Sequence, residues 1–274
     1  MSEHIIKNGS ITRKLGAFEK RIHEIDLIRG LLIILVVMDH LFWCFKQFNY
    51  DWFNATGQTN EFFHGMYVVF NFYWTSIARR IVRQVALFGF CFISGISSAF
   101  SRNNWVRAGE MILVFAIIAV GSNLLQVSGW FGDRVMRIDF NVIGVLAWST
   151  LFYCFADKKT WRSILVGLLL SFLMCWYIIP WLEKTPLVHG YAPALWYPEV
   201  AQGDWMQLFP YCTFFFMGAL FSYFIYAPTR QSLVKVRRNW ERPFCFIGRH
   251  TLFIYCSHEI LLTAIFMAIG AMIH

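Results

Sequence analysis

Seven stretches of this chain are almost continuously apolar, at roughly 25–45, 80–100, 110–128, 140–156, 162–181, 207–227 and 250–272. Each approaches the roughly 20 residues that a helix needs to cross hydrocarbon. In lipid every backbone polar group has to be satisfied internally, and a helix does this within one segment. The pattern therefore predicts an all-α fold, a polytopic transmembrane helical bundle of about seven spans. Residues 1–24 are polar and basic, with no short apolar core leading to a cleavage site. They read as a cytoplasmic N-terminal arm and not as a signal peptide. Residues 25–274 then form one transmembrane domain.

The polar segments between the spans set the orientation. With the N-terminus inside, sixteen lysines and arginines fall in inner segments and six in outer ones, while Arg29 and Arg83 lie within spans. The excess of positive charge belongs on the cytoplasmic side, so the N-terminus is expected there and the C-terminus outside. The aromatic segment 46–79, which contains FFHGMYVVFNFYW, stays open between three forms. It could be an amphipathic helix on the outer surface, a re-entrant piece or an eighth span, and the charge bias after residue 100 disfavours the last. Segment 182–206 is rich in Pro and Gly and reads as an outer loop over the bundle mouth. Segment 228–249 reads as a basic inner loop, suited to anionic lipid or to ligand phosphates.

Composition agrees. The 274 residues are 58% apolar and 15% charged, against about 25% charged in a typical soluble chain. The net charge of +8 is spread along the flanks of apolar runs and not gathered into one basic domain, so a nucleic-acid partner is not expected. Most of the seven cysteines sit within apolar runs and none has metal-ligand spacing. They read as buried free thiols, without a disulfide framework or a zinc site.

Against this background the charges inside the first span stand out. EIDLIRGLLIILVVMDHLFWCF carries Asp26, Arg29, Asp39 and His40. Ionisable groups at membrane depth are costly and mark functional sites by default. Arg29 and His40 are eleven residues apart, roughly three turns plus 20°, so they share a helix face, about 16 Å apart along the axis. Asp39 points about 100° away from His40. Asp26 and Arg29 are three apart and can meet. The plain alternatives are an anchoring ion pair for Asp26 with Arg29, and a hydrogen-bonded buried histidine for His40. His258, next to Glu259 in the last span, reads as an interhelical hydrogen-bonding group or a second contact in the same cavity. Ser94, Gly95, Ser97 and Ser98 suit close helix packing. His64 in the aromatic segment is a candidate acceptor-side contact or an interfacial residue. Asp204 is a candidate contact for an amine or a hydroxyl-rich acceptor, or a solvated acid.

The first span, with Asp26, Arg29-Gly30 and His40, resembles the opening helix of the transmembrane acyltransferase superfamily. The wider pattern is similar to a bacterial branch related to the heparan-alpha-glucosaminide N-acetyltransferase catalytic domain. Its pieces are EIDLIRGLLIILVVMDH, LFGFCFISGISSAF, FNVIGVLAW, DWMQLFPYCTFFFMGAL and IGRHTLFIYCSHE. Together they run from residue 24 to about 265. The resemblance implies an integral membrane enzyme of a bacterial cytoplasmic membrane. It would pass an acetyl or other short acyl group from cytosolic acyl-CoA, with acetyl-CoA the expected donor, to a sugar or glycan acceptor outside. It implies catalytic roles for His40, Asp26 and His64, with His40 the preferred base. Arg29, Arg83 and His258 would serve the donor and Asp204 the acceptor. No metal is expected. The lipid bilayer is a partner, and a homo-oligomer stays open. Two departures bear on the base. Ala147 stands where relatives often have His, and the animal branch carries Asn at the His40 position with its His further on, where this chain has Asp51 and then His64. The alternative function is a non-enzymatic transporter or channel for a small solute, since intramembrane ionisable groups also line transport paths.

Overall fold

The first apolar stretch opens a helix well beyond its expected end. In the computed structural model α1 runs from His23 to Ala55, 33 residues, or about 50 Å at about 1.5 Å per residue. That exceeds the roughly 30 Å of hydrocarbon, so α1 carries side chains past the core of a bilayer. The structure describes residues 22–129, 137–157, 159–182, 204–226, 232–234 and 238–273. The N-terminal arm up to residue 21 and almost all of the expected outer loop lie outside the described residues.

After α1 come α2 (Glu61–Thr75), α3 (Ile77–Phe100), α4 (Asn104–Ser128) and α5 (Val142–Cys154). Then follow α6 (Trp161–Leu173, extended by a widened turn Met174–Ile178 and by Ile179–Leu182), α7 (Tyr211–Ile225), α8 (Glu241–Arg249) and α9 (Thr251–Ile273). Among the described residues there is no strand. Among the described residues five helices are long and apolar enough to cross a membrane: α1, α3, α4, α6 with its extension, and α9. The protein is thus an all-α membrane bundle. The other two expected spans are present as the shorter apolar helices α5 and α7. Their ends are set locally. Asn103 and Asn141 cap α4 and α5, each side chain accepting two backbone N–H groups of the first turn. The widened turn of α6 lies just ahead of Pro180, a residue that cannot donate to the helical ladder and crowds the preceding turn.

Segment 46–79 is largely helical, and its second helix is not among the helices long and apolar enough to cross a membrane. Its first part completes α1. Its second is the 15-residue α2, which Asn60 caps through Phe62 N (3.1 Å) and Phe63 N (3.3 Å), and which packs on α1. Lys46, Arg79 and Arg80, counted in an outer segment, lie in α1 and α3. Segment 228–249 is likewise more than a basic loop. Its end is α8, with Glu241, Cys245 and Gly248 buried on one face, the i, i+4, i+7 stripe of a docked helix. All seven cysteines are free thiols, four of them buried.

The chain divides into two compact units, residues 1–86 with 230–274, and residues 87–229. In the second, α3 and α7 cross on a pair of glycines. A Cβ on Gly95 would run into the Phe215 carbonyl, and one on Gly218 into the Phe92 carbonyl. The small-residue packing expected of this segment is therefore present, and its serines have a further use. Ser94 and Ser98 each accept a hydrogen bond from the Arg107 guanidinium, at 3.1 Å.

In the first unit α1 runs alongside α8 and α9 in parallel, with a constant sequence offset of 218. His23 meets Glu241, Gly30 meets Gly248, His40 meets His258, Phe48 stacks near Phe266 and Trp52 touches Gly270. A Cβ on Gly248 would overlap the Asp26 carbonyl, and one on Gly30 the Phe244 carbonyl. The lower seam is therefore backbone against backbone. The upper seam is an apolar cluster of Cys44, Phe48, Trp52 and Phe266. A parallel pair of spans needs an odd number of crossings between them. Among the described residues, five apolar helices, α3 to α7, lie between the two in sequence, an odd number.

Candidate functional site

The register of the α1–α9 seam brings two histidines together. His40 Nδ1 lies 2.8 Å from His258 Nε2, with ring centroids 4.7 Å apart. The other ring nitrogen, His40 Nε2, lies 3.3 Å from Glu259 Oε1. His258 is buried and the other two are half-buried. The site thus takes one residue from the first span and two neighbours from the last. His258 is an interhelical hydrogen-bonding group, as one sequence reading held, and its partner is the candidate base itself. Glu259 had no assigned role in the sequence reading. The pairing across 218 positions could not be read without the helix register.

Two imidazoles and a carboxylate are also a donor set that suits zinc. One ligand atom from each of His40, His258 and Glu259 falls within 4.8 Å of the others. As arranged, however, the facing nitrogens of the two rings engage each other.

Asp39 turns away from these groups, as its 100° offset requires. Its carboxylate accepts a forked pair from Arg79, Nε to Oδ1 at 2.8 Å and Nη2 to Oδ2 at 2.7 Å. The Tyr73 hydroxyl adds a contact at 3.3 Å, and the Arg79 guanidinium lies 3.3 Å above the Trp74 ring centroid. A planar guanidinium suits both the fork and the stack. The cluster fastens α2 and the start of α3 to α1, beside His40 in sequence but on another face.

At the lower end of α1 a second charged group assembles. Asp26 is buried. It lies 3.9 Å from Arg29 Nη1 and accepts from Arg249 Nε at 3.3 Å. Two guanidinium groups face one carboxylate here. The Asp26–Arg29 contact exists as the sequence suggested, and Arg249 is an addition that it did not. Next to it Glu24 receives the Ser232 hydroxyl and, at 2.7 Å, the Leu233 N–H. His23 Nε2 lies 2.7 Å from Glu241 Oε2, and the Cys245 thiol lies 3.4 Å from His23 Nδ1. The hydrogen bond from His23, with a second from the Arg238 N–H, holds the Glu241 carboxyl below its ordinary value of 4.5. A carboxyl depressed by folding adds stability in full above that ordinary value and loses it as the pH falls through the lower folded one. Acidification below about 4.5 should therefore loosen α8 from α1. Hydrogen exchange of the α8 amides should speed up there, and much less so in Glu241→Gln, whose exchange is already fast.

The remaining sequence candidates fall on other elements. His64 is exposed on α2, with its ring 4.8 Å from that of Phe53. Phe53 is thirteen residues past His40 on α1, about 20 Å along the axis. Arg83 is half-buried on α3, one turn after Arg79. Asp204 is half-buried just ahead of α7, in the second unit. Ala147 is buried within α5.

A protein-family model described as heparan-alpha-glucosaminide N-acetyltransferase, catalytic, matches residues 21–260. That range takes in α1 from its first residue and α9 through Glu259. No curated protein and no solved structure matches the chain. With most of its length covered by that one model, the chain belongs to the heparan-alpha-glucosaminide N-acetyltransferase catalytic-domain family, a family of acetyltransferases.

Proposed function

We propose that this protein is a transmembrane acyltransferase that uses acyl-CoA, acetyl-CoA foremost, as donor and a sugar or glycan as acceptor, with His40 as general base. The observation that carries the reading is the contact of His40 with His258 and Glu259 on one seam, while Asp26, Arg29 and Arg249 gather at the other end of the same stretch. Arginine forks suit phosphate, and the Arg29 and Arg249 guanidinium groups beside Asp26 fit the phosphate-bearing end of CoA. The eleven residues from Arg29 to His40, about 16 Å of helix, are of the order of a pantetheine arm. Arg83 would assist on the donor side and Asp204 on the acceptor side. The N-terminal arm and Arg29 would lie on the cytoplasmic face of a bacterial membrane, where acyl-CoA is made.

The chemistry needs one proton carrier. The acceptor nitrogen or oxygen attacks the thioester carbonyl, and His40 takes its proton as the new bond forms. The C–S bond then breaks, and the proton passes to the CoA thiolate. Direct transfer accounts for the groups present without an acyl-enzyme.

Binding tests the donor assignment. A ligand at a hundred times its Kd stabilises a protein by about 2.7 kcal/mol. Acetyl-CoA at millimolar concentration should raise the melting temperature of the purified protein, with free CoA as the comparison. No shift with either would favour a carrier. Arg29→Ala should weaken donor binding about tenfold or more, the loss of one charge-assisted contact of about 1.5–3 kcal/mol. Arg29→Lys should restore only part of it, because an ammonium lacks the fork. Equal affinity in all three proteins would leave Arg29 as a partner of Asp26 alone.

A further inference from the structure

We propose that His258 and Glu259 are positioning residues for His40: His258 fixes which of its nitrogens is bare, and Glu259 receives that nitrogen once it carries a proton. The proposal deepens the acyltransferase reading and rests on it for the role of His40.

The argument starts from two atoms that can only accept. His258 Nδ1 lies 2.7 Å from the carbonyl oxygen of Tyr255 and 3.2 Å from that of Ile254. A carbonyl has no hydrogen to give, so Nδ1 of His258 carries one. In the neutral ring Nε2 is then the acceptor. It faces His40 Nδ1 at 2.8 Å, and two lone pairs do not meet at that distance. The shared hydrogen therefore sits on His40 Nδ1. In its neutral form His40 has its lone pair on Nε2 alone. The backbone of α9 thus sets the tautomer of His40 through one intervening ring.

The competing assignment puts a proton on both nitrogens of His258, which would leave His40 bare at Nδ1. It requires a charged imidazole that is 5% exposed, with carbonyls and a neutral ring at hydrogen-bond distance and the Glu259 carboxylate within 4.8 Å but in contact with His40. A buried ion whose counter-charge is engaged elsewhere is costly. The neutral chain of donors avoids that cost.

Glu259 completes the arrangement from the other side. Its Oε1 is 3.3 Å from His40 Nε2. A bare nitrogen and a carboxylate oxygen repel, so this separation suits the state in which a proton lies between them. When His40 takes the acceptor's proton, Nδ1–H still donates to His258 and Nε2–H faces the carboxylate. Both hydrogens of the imidazolium are then met. The half-exposed carboxylate leaves room at Nε2 for the acceptor's N–H or O–H before transfer. His258 and Glu259 are consecutive, about 100° apart around α9, which lets one helix attend to both nitrogens of one ring.

Two measurements test this. In protein labelled with 15N-histidine and held in lipid nanodiscs, above the titration of both rings, the ring nitrogens should show hydrogen on Nδ1 of both residues. The His40→Ala and His258→Ala spectra assign the signals. Hydrogen on Nε2 of His40 would overturn the proposal whether or not the protein transfers acyl groups. In the transfer assay, His258→Leu and Glu259→Gln should each lower kcat about tenfold or more, with KM for donor and acceptor changed less than twofold. His258→Gln, whose amide oxygen can accept from His40 Nδ1, should recover much of the loss. Wild-type kcat in His258→Leu, with His40→Ala inactive, would remove the positioning role and leave the acyltransferase reading intact. A wild-type protein with no transferase activity would sink that reading, while the ring-nitrogen spectrum still decides the proton arrangement.

Discussion

Substituting His40 by alanine should abolish acyl transfer while leaving the fold and donor binding close to wild type. A positioned general base contributes about 10²–10⁴-fold to rate, and the loss should fall in kcat. The ring is half-buried on the seam, so its removal leaves His258 without its cross-helix partner. A small drop in melting temperature is expected and is separable from the kinetic effect. Steady-state kinetics with acetyl-CoA and a panel of amino-sugar and hydroxyl acceptors would measure it. Retained turnover would move the base elsewhere. His64 would be the first alternative from the sequence, although it lies beside Phe53, towards the far end of α1.

The largest effect on stability is expected from Gly248→Val. At Gly248 even a methyl group would overlap the Asp26 carbonyl oxygen, with the Gly30 nitrogen 2.9 Å away. Overpacking in a core costs about 1–3 kcal/mol where side chains can yield. Here the obstacle is main chain, so α8 has to move off α1. The variant should lose several degrees of melting temperature or fail to accumulate. Because Asp26 and Arg249 flank the contact, donor binding should weaken with it. Gly109→Val is the matched control, since nothing lies within 4 Å of a Cβ there. Equal melting of the Gly248 variant and the wild type would show that the two helices do not meet at this glycine.

How much of this was legible beforehand follows from which forces act locally. Hydrocarbon demands long apolar segments, and so the seven apolar helices fall close to the stretches read from the sequence. The direction of Asp39 was legible too, because adjacent helical residues diverge by about 100°. Helix α8 was not. ERPFCFIGR is short and charged, and its buried face includes Glu241, which is held there by His23 opposite and by the Arg238 N–H. The length of α1 was hidden for a similar reason. Past Phe45 its sequence turns polar and aromatic, and packing against α2 and Phe266 keeps it helical. Asn60, Asn103 and Asn141 could have been recognised as caps from their position ahead of apolar runs. The meeting of His40 with His258, and of Asp26 with Arg249, depends on a register between segments more than 200 residues apart. No local pattern carries that information. The constant offset along the seam becomes visible only when the helices are laid side by side.

One measurement reaches the centre of the account: a map of the protein in nanodiscs, by electron cryo-microscopy, with a non-transferable thioether analogue of acetyl-CoA. The account predicts phosphate density against Arg29 and Arg249, and the acyl carbonyl within reach of His40 Nε2 on the α1–α9 seam. Density for the analogue at a different pair of helices, with both ends of the Arg29–His40 stretch untouched, would contradict it.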